Sequence, residues 1–292
     1  MAIESVADLT RMTRGALAAA GFVRHERDGL VYWSSADVIP SVESRDLGGP
    51  GGSLLLPPAQ VPRLDARDDR TLVLIHGAND HAGTWFAVAP TLAKSYRVLI
   101  PDLPGHGESV PHSGAIPISL IVSSLEKLLA NERDVTLAGN SLGGWIALLL
   151  ALRNPDRIKR LFLEASGGLS RPLGVSLFAG NRDEAIVILR AVHGPRYEPQ
   201  EWVIDALLQR AVDSPMLRLT ETHEHHVESR LGEIDIPTTL INGADDGVVT
   251  LAYAEELRNA IPGATLHVIE GAAHIPHLQQ PARFLECLTS IS

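Results

Sequence analysis

A single cysteine, Cys287, stands in this chain of 292 residues. A lone thiol cannot close an intramolecular disulfide, so the fold has no internal cross-link and the sequence gives no sign of an oxidising compartment. Cys287 itself reads as a small hydrophobe in a C-terminal helix. Positive charge is also short: 25 Lys and Arg stand against 35 Asp and Glu, a net −10. That balance argues against nucleic acid or an anionic membrane surface as partner and leaves a small neutral molecule open. No apolar run approaches the about 18 residues of a membrane span. Arg11, Arg14 and the run Ala16-Leu17-Ala18-Ala19-Ala20 have a flavour of a secretory signal. The run is too short, however, and Glu4 and Asp8 precede it. An amphipathic leading helix fits better, with Val6, Leu9, Met12 and Leu17 at helical spacing, and a cytoplasmic location is expected. Internal repeats are missing too. So is the zinc-protease pattern His-Glu-x-x-His: in His223-Glu224-His225-His226-Val227 a valine stands where the second histidine belongs. The solvated face of a helix is the expected setting for these histidines and for Glu228.

What is present is the balance of an ordinary globular protein, 45% hydrophobic and 21% charged. The length allows one large α/β domain with an insertion, or two modest domains. Residues 21–38 read as strand, turn and strand, with Asp28-Gly29 as the hairpin signal. Residues 46–69 are rich in glycine and proline and suggest an irregular surface excursion. Thr71 to Ile75 is then a continuous apolar run, as expected of a parallel strand buried on both faces. The pattern returns at Arg97–Ile100, Val135–Ala138, Ile158–Leu163, Thr238–Asn242 and Thr265–Ile269. Helical patterns lie between, at 118–129, 145–152 and 251–260, and a last one spans 282–290. Strands alternating with helices imply a mostly parallel central sheet flanked by helices. Between Ser166 and Leu231 the rhythm breaks, leaving helix-like segments such as Glu184–Val192 and Glu201–Val212. The expectation is an α/β core of residues 1–165 and 232–292, divided by a helical lid at 166–231.

The most informative stretch is Leu137-Ala138-Gly139-Asn140-Ser141-Leu142-Gly143-Gly144-Trp145, Gly-x-Ser-x-Gly between a strand pattern and a helix pattern. A serine at a sharp strand-to-helix turn has its Oγ pushed clear of its neighbours. Glycines two before and two after remove side chains where the backbone passes close to itself. The following helix starts beneath Ser141, so its N-terminal N–H groups face the place where an oxyanion forms. A serine hydroxyl needs a base, and the base needs an orienting group. Such groups collect at the carboxyl ends of strands in an α/β sheet. That rule reduces twelve histidines to His274, in the loop after the last strand, with His277 as its rival. Asp245 and Asp246 follow the strand before, giving the chain order Ser, Asp, His.

With these residues in place the chain resembles the α/β-hydrolase superfamily over roughly residues 20–292. The resemblance rests on His76-Gly77, the segment Pro101 to Ser109, the serine turn, the aspartate loop and the histidine loop. It implies Asp246, three residues after Gly243, as the orienting acid, with Asp245 peripheral. It also implies an oxyanion hole from the backbone N–H groups of Ala78 and Leu142, to which Asn79 could add a substrate-binding amide. His76 and His106 are expected to brace their loops, and Glu132-Arg133 to be surface charge. The implied chemistry uses an acyl-enzyme and needs no metal, nucleotide or flavin. A serine nucleophile weighs against haloalkane dehalogenases and epoxide hydrolases. Ester hydrolases, C–C bond hydrolases of ring-cleavage products and haloperoxidase-like enzymes remain, and so does a hydrolase-fold ligand-binding receptor. The C–C hydrolases usually carry a glycine-rich segment after His-Gly, where this chain has Ala78-Asn79-Asp80-His81. They often place an aromatic residue where Ile275 stands. These departures favour an esterase for a small or medium acyl group.

Overall fold

In the computed structural model the strand Thr71–Ile75 has every residue buried, and alternate side chains enter two separate cores. Val73 and Ile75 face one; Leu72 and Leu74 face the other. This two-residue period is what a sheet covered on both faces requires. The structure describes residues 3–35, 70–210 and 214–289. The stretch 46–69, expected as an irregular excursion, lies outside the described residues, as does the end of the expected hairpin at 36–38.

Eight strands form one sheet: β1 (Phe22–Arg27), β2 (Leu30–Ser35), β3 (Thr71–Ile75), β4 (Arg97–Pro101), β5 (Val135–Asn140), β6 (Ile158–Glu164), β7 (Thr238–Gly243) and β8 (Thr265–Ile269). Their order is β1-β2-β4-β3-β5-β6-β7-β8. The β1–β2 and β2–β4 pairs are antiparallel and every other pair is parallel. Asp28 and Gly29 both have positive φ, 52° and 77°. That is the geometry of the tight turn expected from this dipeptide.

Seven helices of at least nine residues accompany the sheet among the described residues: α1 (Val6–Ala19), α2 (Ile118–Leu128), α3 (Leu142–Arg153), α4 (Arg182–His193), α5 (Glu201–Arg210), α6 (Leu251–Ala260) and α7 (Pro281–Thr289). On one face α2, α3 and α6 pack Ile121, Leu125, Ile146, Leu150, Tyr253 and Leu257 over Val73, Leu137, Leu161 and Leu240. The other face joins Leu17 of α1 and Phe284 and Leu288 of α7 to Leu72, Leu74, Ala138 and Ile241. Every residue from Leu142 to Ala151 in α3 is buried, so this helix, apolar all round, is the interior one. Each fully buried aliphatic side chain contributes about 1.5–3 kcal/mol to the fold.

The expected leading helix forms, with Leu17 of its apolar stripe fully buried and Val6 half-buried. Leu9 and Met12 remain more than a third exposed. Thr13 is buried beside Leu17, and Arg14 pairs with Asp102 and Glu108. Leu17 and two ion pairs with the segment after β4 together orient the helix.

Between β6 and β7 the chain carries α4 and α5, which share a small apolar cluster of Ala185, Ile188, Leu189 and Ile204. The strand rhythm breaks here with one exception, Leu219–Thr220, which pairs in parallel with Ile116–Pro117. Residues 222–225 form a turn, not the helix face expected for the histidine cluster. Glu221 has φ 62°, which ends any helical run, and its carboxylate accepts the Ser119 N–H at 3.1 Å. No described helix is long and apolar enough to cross a membrane.

Candidate active site

The parallel strands deliver His76, Ser141, Ala165, Ala244 and Glu270 to one edge of the sheet, directly after β3, β5, β6, β7 and β8. Ser141 has φ 54° and ψ −112°, a strained conformation for a residue with a side chain. A Cβ on Gly139 would drive into the backbone of Gly143, and one on Gly143 into the carbonyls of Ile75 and His76. Both glycines of the motif are therefore demanded by close approach. Three backbone bonds hold the turn. Ser141 N–H donates to the Glu164 carbonyl at 2.9 Å, and the Ser141 carbonyl accepts from Trp145 and Gly167, both at 3.1 Å.

His274 and Asp246 meet across two loops. The His274 Nδ1 lies 3.0 Å from Asp246 Oδ2 and 3.2 Å from Oδ1. A carboxylate only accepts, so Nδ1 carries the proton and Nε2 presents a lone pair. Asp246 Oδ1 also accepts the N–H groups of Val248 and Val249, at 2.8 and 3.0 Å. Its side chain has no exposed surface, whereas Asp245 is exposed. The acid loop is tied to its strand by Asn242, whose Nδ2 donates to the Val249 carbonyl at 2.9 Å. No hydrogen bond joins His274 Nε2 to Ser141 Oγ in this structure; the connection runs through the neighbour. Asn140 Nδ2 donates to the His274 carbonyl at 3.0 Å, tying the serine turn to the histidine loop.

The loop after β3 lies against the serine turn. A Cβ on Gly77 would sit 2.7 Å from Asn140 Oδ1 and 3.4 Å from Ser141 Cβ. Among the described residues the N–H groups of Ala78 and Leu142 donate to no backbone carbonyl. Asn79, at φ 60°, uses its Oδ1 to accept the Met216 N–H at 3.1 Å, so its side chain reaches the segment between β6 and β7. His76 braces this loop. Its Nε2 accepts the Leu103 N–H at 2.9 Å, which leaves Nδ1 to donate to the Gly77 carbonyl at 2.7 Å. His106 donates from Nδ1 to the Pro104 carbonyl at 3.1 Å, while its buried Nε2 has no partner. Burial, helped by the neighbouring His76, pushes His106 down to about 3. Asp102, fully buried, accepts from Ala82 N–H, Glu108 N–H and Arg14, and so joins the loops after β3 and β4 to α1.

The last turn of α4 ends on these loops. The carbonyl of Ala191 accepts the Gly247 N–H at 3.0 Å, and that of Val192 accepts the His274 N–H at 3.0 Å. The carbonyl of His193 accepts Gln279 Nε2 at 2.8 Å. Carbonyls that a helix end leaves unpaired are thus capped by the aspartate and histidine loops. Burial first, then the charge of His274, holds the His193 imidazole below its ordinary value.

His277, the rival base, is placed elsewhere. Its Nδ1 and its backbone N–H both reach the Glu164 carboxylate, each at 2.7 Å. Its Nε2 lies 3.0 Å from Thr84 Oγ1, and its ring packs at a tilt against Trp85, 4.3 Å between centroids. Carboxylate, imidazole and hydroxyl form a complete string here, but His277 and Glu164 are 0% and 1% exposed. No substrate reaches them. Strand-end position alone could not separate His274 from His277, because both lie in one short loop. Glu164 and Asn140 were not singled out from the sequence. The available signal was a carboxylate directly after the apolar run Leu161–Leu163 of β6, a buried charge in want of a partner.

Of the histidine cluster, His225 gives its carbonyl to Trp145 Nε1 at 2.9 Å, and the His226 ring stacks on Trp145 at 5.8 Å. Among the described residues no group of three His, Cys, Asp or Glu side chains is arranged to hold a metal ion. Glu132 is engaged by Arg97 and by the Thr71 hydroxyl rather than being free surface charge.

Sequence comparison decides the family: the alpha/beta hydrolase family model matches residues 72–286. The chain is an α/β-hydrolase. The match begins after α1 and the β1–β2 hairpin, later than residue 20 where the resemblance was expected to start. This α/β-hydrolase is 32% identical over 232 residues to a 2-hydroxy-6-oxononadienedioate/2-hydroxy-6-oxononatrienedioate hydrolase of Cupriavidus pinatubonensis, covering 70% of this chain and 80% of the relative. It is 27% identical over 248 residues to a pimeloyl-[acyl-carrier protein] methyl ester esterase of Nitrosomonas europaea, covering 75% and 94%. In structure it aligns with the carboxylesterase CesB of Bacillus subtilis at a TM-score of 0.68, covering 99% of this chain and all of the other at 17% identity. At that identity the α/β-hydrolase fold is what the two share.

Proposed function

We propose that this α/β-hydrolase is a serine esterase for carboxylic esters with a small or medium acyl group. The observation that carries the proposal is the Asp246–His274 pair, which fixes the imidazole in the tautomer a serine base needs, beside a serine in a strained turn. His274 Nε2 takes the Ser141 proton as Oγ attacks the acyl carbon. The N–H groups of Ala78 and Leu142 receive the oxyanion. The imidazolium then gives its proton to the leaving alkoxide, and the acyl group stays on Ser141. Water, deprotonated by the same nitrogen, releases the acid and regenerates the serine. The segment 166–231 serves as the lid that shapes the acyl site, held to the oxyanion loop by Asn79. The methyl ester esterase relative supports the ester assignment. The dienedioate hydrolase relative favours a second reading, hydrolysis of a C–C bond in a ring-cleavage product.

A panel of p-nitrophenyl esters of graded chain length, with one dienone-type C–C substrate beside them, separates the two. We expect steady turnover of short and medium esters, unchanged by a chelator and absent in Ser141→Ala. An organophosphonate should leave one adduct, on Ser141. Turnover of the dienone alone would establish the second reading, and a single slow turnover with retained product would identify a binding protein. Labelling elsewhere would remove Ser141 from the mechanism.

A further inference from the structure

We propose that Glu164 is a positioning residue for the reaction, holding the nucleophile turn and the base loop in register through His277. The inference rests on the Ser141–His274–Asp246 assignment above. Glu164 is the last residue of β6 and lies opposite Asn140 in the sheet register. Its main chain and its side chain serve different partners. The carbonyl accepts the Ser141 N–H, and the carboxylate accepts two donors from His277, three residues beyond His274. One residue therefore fixes the height of the serine turn and the position of the loop that carries the base. Asn140 closes the ring from the other side, because its Nδ2 donates to the His274 carbonyl. The far side of His277 is set against Thr84 and Trp85, which belong to the short helix Ala82–Ala87 after the Ala78 loop. All three parts of the proposed machinery thus converge on one buried imidazole.

The chemistry limits what Glu164 can do. Its carboxylate has 1% exposure, and among the described residues His277 is the one side chain donating to it. A carboxylate desolvated to this degree is held by its hydrogen bonds, so losing the imidazole leaves a buried group without a partner. Both of its oxygens are engaged by His277, so it acts through the loops it holds. Filling the core is an insufficient account of this side chain, since an apolar residue would do that without needing two donors from one residue.

The test compares removal with conservative replacement at both partners. His277→Asn places an amide nitrogen where Nδ1 stands and keeps the donor to Glu164; His277→Leu does not. Glu164→Gln keeps an acceptor and a polar contact; Glu164→Ala removes both. We expect Glu164→Ala and His277→Leu to lower kcat for a short p-nitrophenyl ester by about 10²-fold, in the range seen when reacting groups are displaced by about 1 Å. KM should change less than threefold. Glu164→Gln and His277→Asn should recover at least tenfold of the loss, and the double variant Glu164→Ala/His277→Leu should lose no more than either single one. Circular dichroism and thermal melting accompany each variant. Unaltered kcat in folded Glu164→Ala, or a loss that the conservative variants fail to rescue, would overturn the proposal. If Glu164→Ala does not fold, the His277→Leu and His277→Asn pair decides alone. His274→Ala, run in parallel, tests the underlying assignment by itself: full activity there would refute the base on which the positioning role rests, whereas the Glu164 and His277 variants test the positioning role with His274 intact.

Discussion

Two adjacent aspartates show how much a single side-chain direction decides. Asp246 turns inward, bonds the imidazole and takes two backbone N–H groups; Asp245 turns to solvent. Replacing an orienting carboxylate by an amide strands the imidazole in the wrong tautomer, a change that costs about 10⁴ in kcat in the serine proteases. Asp246→Asn should therefore lose several orders of magnitude in ester turnover while Asp245→Asn loses less than about threefold. Steady-state kinetics on the pair, at equal folded fraction, checks this; similar losses would reverse the assignment. At this scale much was legible. The Asp246–His274 contact could be anticipated because strand ends are predictable and the resemblance places the acid three residues after Gly243. The partners of His277 could not. Glu164 and Thr84 lie 113 and 193 residues from it, and no local pattern records a contact made only by the closed fold.

Strand β3 and helix α3 were readable because an unbroken apolar run matches nearly complete burial, whereas β8 has the same kind of sequence and buries only Ile269. The segment 221–226 was not readable, because charged and histidine-rich sequence has no apolar period and one residue at φ 62° is enough to turn the chain. The insertion meets the loop after β3 through the short turn Pro215–Arg218, where the Met216 N–H donates to Asn79 Oδ1. If that turn lines the acyl site, Met216→Ala and Leu217→Ala should shift the preferred ester chain length by at least two carbons. The rate of Ser141 modification by a small phosphonate should stay within about threefold. A uniform fall in stability with unchanged chain-length preference would move the specificity element elsewhere in the chain.

For the molecule as a whole, the burial of His106 contributes to the response to acid. His106 is neutral in the folded state down to about 3 and charges near its ordinary value when unfolded. The unfolded chain therefore binds the extra proton, and stability falls as pH drops from about 6.5 toward 3. From pH 7 to pH 5 this one group should remove about 2 kcal/mol. His106→Asn, which keeps a donor for the Pro104 carbonyl, should show a correspondingly flatter loss in urea unfolding measured at the two values. An equal loss in both proteins would assign the acid response to other groups, His81 and His193 being the next candidates since burial lowers both. The architecture also has a consequence for traffic through the site. The end of α4 is capped by the amides of Gly247 and His274 and by Gln279, so the helix and the proposed base share bonds. Lifting α4 to let a product leave would uncap three carbonyls and release the His274 backbone in the same movement. Along that edge, an open door and a loaded catalyst exclude each other.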